Sequence, residues 1–180
     1  GTHMPVARTG LMVERVDTVT LKRTAVEGAR QDAVEYITDG HGTVRIMGIT
    51  EKDSSGYDKN TIKYLYRKPG SRSWDSLDTL VLTGGESIGF NPIAVDRDRD
   101  LVYGFAANAG HTALWSMALD GSKTKTLVLA RPDVDVDGLV QIGRQARVVG
   151  ASYATDRRKT EFFDPELKKL AASLGRALPG

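Results

Sequence analysis

The sequence predicts an all-β protein made of antiparallel sheets, with one α-helix near its C-terminal end. The clearest evidence is residues 90–129, which hold four short apolar runs separated by turns rich in Asp, Asn and Gly. Such runs are typical of antiparallel strands joined by tight turns. Four strands in about 40 residues is the size of one β-propeller blade. We therefore expect a partial β-propeller of about three four-stranded antiparallel blades.

The same pattern continues on both sides of this stretch. Residues 33–82 hold four further segments and predict a second blade, whose first two strands are joined at Asp39-Gly40, a dipeptide that favours a hairpin turn. Residues 11–28 predict half a blade, and residues 138–163 predict part of another. Residues 51–60 are polar and predict a loop. Equivalent strands recur about every 45–60 residues, a spacing that blades with loop insertions reach.

One helix is predicted over residues 165–175. Asp164 is a candidate N-cap, Pro165 suits the first helical position, and Gly175 is a candidate C-terminal cap. We expect the apolar face of this helix to cover a sheet edge or to lie between blades. That face consists of Leu167, Leu170, Ala171 and Leu174.

Composition excludes several classes of function. The 180 residues include 25 basic and 23 acidic ones, a net charge of +2, and the two signs are interspersed, so no nucleic-acid partner is expected. No apolar run approaches the roughly 20 residues of a transmembrane helix, so no membrane partner is expected either. The lack of cysteine excludes disulfides and thiolate sites but assigns no compartment. Residues 1–4, Gly-Thr-His-Met, are typical of a cleaved vector leader.

Ser152 is the candidate nucleophile that the sequence offers. The motif around it, Gly-Ala-Ser-Tyr-Ala, is similar to a hydrolase nucleophile elbow but lacks the second glycine. An elbow also needs a helix directly after the serine, whereas the residues after Ser152 predict a strand and a hairpin turn. No histidine follows Ser152 to complete a triad. We therefore expect Ser152 to be a strand residue without a catalytic role.

The acidic run at Asp133, Asp135 and Asp137 is the candidate metal site. With Gly138 it matches the first six positions of a calcium-binding loop. The twelfth position, where an EF-hand requires a bidentate Glu, is Arg144. The flanking segments also predict strands rather than helices. We therefore expect a solvated acidic turn rather than a calcium site.

Two other groups are also assigned to turns, and one further motif is too short to interpret. Residues 96–100 alternate Asp with Arg, so that neighbouring charges neutralise one another. His41 and His111 each lie in a turn without a second imidazole at ligand spacing. Residues 84–86, Gly-Gly-Glu, are too short a motif to predict a phosphate loop. The sequence thus predicts no catalytic, cofactor-binding or metal-binding residue, and no cofactor.

Three arginines, Arg45, Arg67 and Arg147, lie on otherwise apolar strands. Each either pairs with a neighbouring carboxylate or faces the central channel of a propeller, and pairing is the favoured interpretation. The aromatic residues mostly occupy core-facing strand positions, which indicates packing between blades rather than a platform for bases or sugars. They are Tyr36, Tyr64, Tyr66, Trp74, Phe90, Tyr103, Trp115 and Tyr153.

Several segments, in this order, resemble the non-catalytic β-propeller of the prolyl oligopeptidase family of serine peptidases, especially its acylaminoacyl- and dipeptidyl-peptidase-like members. They are Tyr-Ile-Thr-Asp-Gly-His-Gly-Thr-Val-Arg (36–45), Tyr-Leu-Tyr-Arg (64–67) with Trp74 following, Phe-Asn-Pro-Ile-Ala-Val-Asp (90–96), Leu-Trp-Ser-Met-Ala-Leu-Asp (114–120), Val-Val-Gly-Ala-Ser-Tyr (148–153) and Glu-Phe-Phe-Asp-Pro (161–165). The likeness extends over nearly the whole chain from about Val13. In that family a propeller of seven or eight blades caps an α/β-hydrolase domain, which carries the catalytic Ser, Asp and His.

The resemblance implies a non-catalytic propeller segment that acts as scaffold and substrate gate for a hydrolase domain absent from this chain. The implied partners are that α/β-hydrolase domain of the same parent chain and the parent's peptide substrates. About three blades cannot close the family's ring, so exposed strand edges are expected to pair with another chain, including a second copy in a homo-oligomer, or to be covered by the helix. The alternative is a self-contained all-β module that binds a protein or a glycan.

Overall fold

The computed structural model describes residues 9–177, which form fourteen β-strands and one α-helix. The four sheets are antiparallel, each joins strands in their sequence order, and none closes on itself. The all-β class with one C-terminal helix is thereby confirmed. The predicted vector leader at residues 1–4 lies outside the described residues. Within residues 9–177, no helix is long and apolar enough to cross a membrane.

The chain divides after Gly89 into two compact units. The first unit contains a two-stranded and a five-stranded sheet. The two-stranded sheet consists of β1 (Leu11–Val16) and β2 (Arg23–Arg30). The five-stranded sheet consists of β3 (Ala33–Thr38), β4 (Val44–Lys52), β5 (Asp58–Tyr66), β6 (Asp75–Thr83) and β7 (Glu86–Ile88).

The turn predicted at Asp39-Gly40 is present between β3 and β4. Asp39 Oδ1 accepts hydrogen bonds from the backbone N–H groups of His41 (2.8 Å) and Thr43 (3.0 Å). Gly40 and Gly42 adopt φ values of +73° and +92°, a region in which glycine is favoured. The local sequence therefore suffices to form this hairpin.

The strands in the first unit extend further than predicted. The polar residues 51–60 were expected to form a loop, but β4 and β5 continue into them and leave only a tight turn at residues 53–57. Asp53 Oδ1 closes this turn by accepting hydrogen bonds from the N–H groups of Ser55 and Tyr57. Across the strands, Glu51 pairs with Lys59 and Lys63. Charged residues can thus occupy a solvent-facing hairpin, and polarity alone did not distinguish it from a loop. The short β7 was not predicted either.

The second unit contains a four-stranded and a three-stranded sheet followed by the helix. The four-stranded sheet matches the four runs predicted in residues 90–129, and its strands are β8 (Asn91–Asp96), β9 (Leu101–Asn108), β10 (His111–Ala118) and β11 (Lys125–Leu129). The remaining elements are β12 (Val136–Ile142), β13 (Arg147–Ala154), β14 (Arg158–Phe162) and α1 (Pro165–Ala177).

The two sheets of the second unit share one apolar core. Leu114 of β10 and Val136 of β12 are fully buried in it. The strand β13 is buried along its length from Val148 to Tyr153, because side chains on both of its faces are covered. Burying such continuous apolar surface is the main favourable term in folding. The other members of this core are Ala94, Tyr103, Leu129, Val148, Ala151 and Tyr153.

The helix α1 begins as predicted and ends later. Asp164 caps it by accepting hydrogen bonds at Oδ1 from the N–H groups of Glu166 (3.0 Å) and Leu167 (3.2 Å). The predicted C-terminal cap at Gly175 is wrong, because the helix continues through Ala177. No residue of α1 is buried, and Leu170 and Leu174 of its apolar face are 55% and 51% exposed. The helix therefore does not bury this face as expected.

Candidate functional site

Ser152 lies inside β13, opposite Thr160 of β14, as the sequence predicted. Its Oγ accepts a hydrogen bond from Arg158 Nη1 at 3.1 Å. A guanidinium is a permanent donor and cannot take a proton from a serine hydroxyl. Ser152 is therefore positioned as a strand residue in contact with a cation, and its neighbour Arg158 cannot serve as a general base.

The three carboxylates of the acidic run face different partners. Asp133 pairs with Arg131, and Asp137 forms a bidentate pair with Arg158, at 2.7 and 3.0 Å. These hydrogen bonds lower the pKa of Asp137. Asp135 Oδ1 instead accepts a hydrogen bond from the Thr112 N–H at 2.6 Å. Within the part of the chain that the structure describes, no three acidic or His side chains are grouped so as to hold a metal ion.

The other polar turn residues that the sequence singled out form contacts in or next to the turns in which they lie. Asp96 Oδ1 accepts hydrogen bonds from the N–H groups of Asp98 and Arg99, which closes the hairpin between β8 and β9. His41 Nδ1 lies 3.0 Å from the carbonyl oxygen of Asp39 in its own hairpin. His111 is the first residue of β10, and its Nδ1 lies 3.5 Å from Asp135 Oδ1.

An open polar pocket of about 330 Å³ lies at the hairpin between β6 and β7. The glycines of the Gly-Gly-Glu motif, Gly84 and Gly85, form its two-residue turn with φ values of +59° and +84°. Glu86 and Asn60 are its most polar lining residues. No helix follows this turn, so the motif lacks the helix N-terminus that a phosphate loop requires.

The most elaborate polar cluster surrounds Arg67 in the first unit. Its guanidinium donates two hydrogen bonds to Glu27 on β2, from Nη1 to Oε1 at 2.6 Å and from Nη2 to Oε2 at 3.2 Å. The same guanidinium lies 3.8 Å from the centroid of the Trp74 ring, a cation–π contact. The side chains of Arg67 and Glu27 are only 14% and 16% exposed.

The main chain of Arg67 continues this cluster into the strand β4. Arg45 Nε donates a hydrogen bond to the Arg67 carbonyl at 2.8 Å, and the Arg67 N–H donates to the Arg45 carbonyl at 3.0 Å. Tyr36 lies near the cluster, and burial raises the pKa of its hydroxyl. The cluster thus ties the two-stranded sheet to the five-stranded one. The charges of Arg67 and Glu27 neutralise each other, which suits a structural clamp better than acid–base chemistry.

The predicted pairing with carboxylates is confirmed for Arg67 and Arg147. Arg67 pairs with Glu27, and Arg147 pairs with Asp164 at 3.2 Å. Arg45 is 2% exposed, and its Nε donates a hydrogen bond to a backbone carbonyl. Glu27 was not singled out in the sequence, because nothing in the residues around it marks a partner 40 positions away.

The aromatic residues are mostly core residues, as predicted. Of the eight that the sequence singled out, Tyr36, Trp74 and Trp115 are half-buried and the other five are buried. Tyr57, in the turn between β4 and β5, is by contrast 76% exposed. A base or sugar platform needs accessible ring faces, so this distribution favours packing over stacking of a ligand.

No protein-family model matches the chain, and no curated protein or solved structure is significantly similar to it. The resemblance to the prolyl oligopeptidase family therefore stays a prediction from the sequence segments alone. The polar clusters described above are ion pairs and hydrogen-bonded turns. The other feature of the described residues on which a function can be argued is the set of open antiparallel sheets.

Proposed function

We propose that this chain is a non-catalytic scaffold whose sheets are consecutive blades of an incomplete β-propeller. In this proposal it restricts the access of peptides to an α/β-hydrolase domain of the same parent protein. The observation that carries the scaffold role is the connectivity, since within residues 9–177 every sheet joins its strands in sequence order and leaves both outer strands open. Up-and-down sheets of this kind are the building units of propellers.

The packing within the second unit supports the same proposal. Its four-stranded sheet and its three-stranded sheet contribute side chains to one core, as neighbouring blades do. The acidic turn between them is held by the contact from Asp135 to the Thr112 N–H. A scaffold needs such fixed sheet-to-sheet contacts, whereas catalysis needs an available nucleophile or base.

The open strands explain why a scaffold of this kind needs further protein. An edge strand presents unpaired N–H and C=O groups that readily pair with another strand. In the described part of the chain, β7, β11 and β14 each have a strand neighbour on one side only. Further blades of a parent protein, or a second copy of this chain, would supply the missing neighbours.

A second candidate function is favoured by the same shared core. Two antiparallel sheets packed face to face are also the architecture of a β-sandwich, which would make the second unit a self-contained binding module for a protein or glycan. The angle between strand directions separates the two candidates. Sandwich sheets keep their strands within about 30° of each other, whereas propeller blades fan around an axis.

The decisive test concerns the parent reading frame and its activity. We expect a Gly-x-Ser-x-Gly elbow to be encoded downstream of residue 180, and the parent to hydrolyse short aminoacyl and peptidyl chromogenic substrates. The isolated chain should leave these substrates intact. A parent frame without an elbow, or hydrolysis by the isolated chain that is lost in Ser152→Ala, would refute the gating function.

A further inference from the structure

The strand β14 is an open edge of the three-stranded sheet in the second unit. Among the described residues it pairs with β13 on one side and has no strand neighbour on the other. None of the residues of α1, the helix that follows β14, is buried. An edge of this kind can accept a further strand, because its outward N–H and C=O groups need partners.

The hydrogen bonds to β13 show which backbone groups of β14 face the open side. The Phe163 N–H donates to the Val149 carbonyl at 2.7 Å, and this pair continues the register of the two strands. Backbone groups point alternately to the two sides of a strand, so those of Glu161 and Lys159 also face β13. The backbone groups that face the open side are those of Arg158, Thr160 and Phe162.

These outward groups define a symmetric register for a second copy of the chain. When identical strands pair antiparallel about a two-fold axis, one residue lies opposite its own counterpart. Thr160 is the middle residue of the five in β14, and its backbone faces outward. With Thr160 on the axis, all five residues find a partner. Thr160 then exchanges both backbone hydrogen bonds with its counterpart, and Arg158 does so with Phe162 of the second copy.

The same register sets opposite charges against each other. Lys159 lies directly opposite Glu161 of the second copy, and the axis repeats this pair. Both are non-hydrogen-bonded positions, where facing side chains are closest, and cross-strand pairs of opposite charge stabilise a sheet. Neither residue forms an ion pair within residues 9–177, although Glu161 is half-buried. Arg158 is already paired with Asp137 and lies opposite Phe162, so no like charges meet along the strand.

We propose that two copies of this chain associate through β14, antiparallel about Thr160, so that their three-stranded sheets become one continuous sheet. The sequence led us to expect open edges to pair with another chain, but it selected no strand. The outer strands β7 and β11 carry one charged residue each, Glu86 and Lys125, so neither can form such a charge pair with its own copy. The inference does not depend on the gating function proposed above.

The proposed dimer is small and should depend on concentration. A pair of five-residue strands buries little surface, and interfaces of that size are weak. In analytical ultracentrifugation we expect the mass to rise from 19.5 kDa towards twice that value between about 10 and about 500 µM. Hydrogen exchange should locate the contact. The Thr160 N–H should be protected only at high concentration, whereas the Glu161 N–H, which faces β13, should be protected throughout.

Charge reversal tests the register with matched variants. Lys159→Glu and Glu161→Lys each set like charges opposite one another at both pairs, and each should weaken association by roughly tenfold or more. An equimolar mixture of the two variants should recover association, because the two acidic positions of one chain then face the two basic positions of the other. Glu86→Lys makes the same change of charge on β7 and should associate like the wild type.

The proposal is overturned if the wild-type chain stays monomeric over the whole concentration range. It is equally overturned if both single variants associate as tightly as the wild type, since the contact then lies elsewhere on the chain. Failure of the mixture to associate better than either variant alone would refute the register about Thr160.

Discussion

Replacing Arg67 with methionine tests whether the clamp between the two sheets of the first unit stabilises the fold. Methionine retains much of the aliphatic bulk of arginine but removes the charge and all its donors. The variant therefore leaves the Glu27 carboxylate without its partner in a position that is 16% exposed. It also removes the contact of the guanidinium with Trp74.

The expected cost follows from this geometry. Removing one partner of a buried ion pair costs about 3–5 kcal/mol, because the other charge stays buried and unpaired. The residual exposure of both side chains places this pair at the low end of that range. The cation–π contact adds about 0.5–1 kcal/mol. We expect Arg67→Met to lower the free energy of unfolding of the first unit by about 3.5–4 kcal/mol.

Tryptophan fluorescence can follow the first unit by itself. The chain has two tryptophans, Trp74 beside Arg67 and Trp115 on β10 of the second unit. In a Trp115→Phe background, the signal during urea unfolding comes from Trp74. With a urea dependence of about 2 kcal/mol per molar, the midpoint should fall by about 2 M.

Arg23→Met is the matched control within the same unit. Arg23 pairs with Glu14 at 3.1 Å, but its side chain is 70% exposed, so the loss should stay below about 1 kcal/mol. Adding Glu27→Leu to Arg67→Met removes the orphaned charge and should restore part of the stability. Equal midpoint shifts for Arg67→Met and Arg23→Met would show that burial of the Arg67 pair is not what stabilises the unit.

Further predictions concern close packing and acid stability. Gly104→Ala places a methyl group 2.6 Å from the Phe90 ring and closer still to a backbone oxygen, so it should cost about 1–3 kcal/mol in melts followed at Trp115. Gly175→Ala, at a helical position with open space around it, should instead stabilise the protein by about 0.5–1 kcal/mol. If both glycine variants changed the stability equally, close packing at Gly104 would not be the cause. Hydrogen bonds from Lys63 and Lys59 lower the pKa of Glu51 to about 2 from 4.5, which NMR titration of its carboxyl can check. Because folding lowers this pKa, the ionised Glu51 stabilises the fold above pH 4.5, and this stabilisation is lost as the pH falls towards 2. In Glu51→Gln, the free energy of unfolding should therefore depend less on pH between 4.5 and 2.

Much of the secondary structure followed from local patterns. The four runs of residues 90–129 and the hairpin at Asp39-Gly40 were predicted, because apolar alternation and turn residues act over a few positions. The N-cap at Asp164 followed for the same reason. The errors lie where local patterns are ambiguous, such as the charged hairpin of residues 51–60 and the helix end beyond Gly175.

The candidate site residues, too, were predictable only where neighbouring residues decide the structure. Ser152 could be assigned to a strand from its neighbours, since an elbow is a local structure. The partner of Arg67 could not be predicted, since Glu27 lies on a strand of another sheet.

The sequence by itself determined that the chain forms short antiparallel strands and one capped helix, since turn chemistry and strand periodicity are properties of neighbouring residues. Only the tertiary structure decided how those strands divide into four open sheets and which arginine meets which carboxylate. It also decided that Leu170 and Leu174 of α1 are exposed to solvent. The physical reason is that pairing and burial depend on contacts between distant segments, and these are set by the packing of the whole unit.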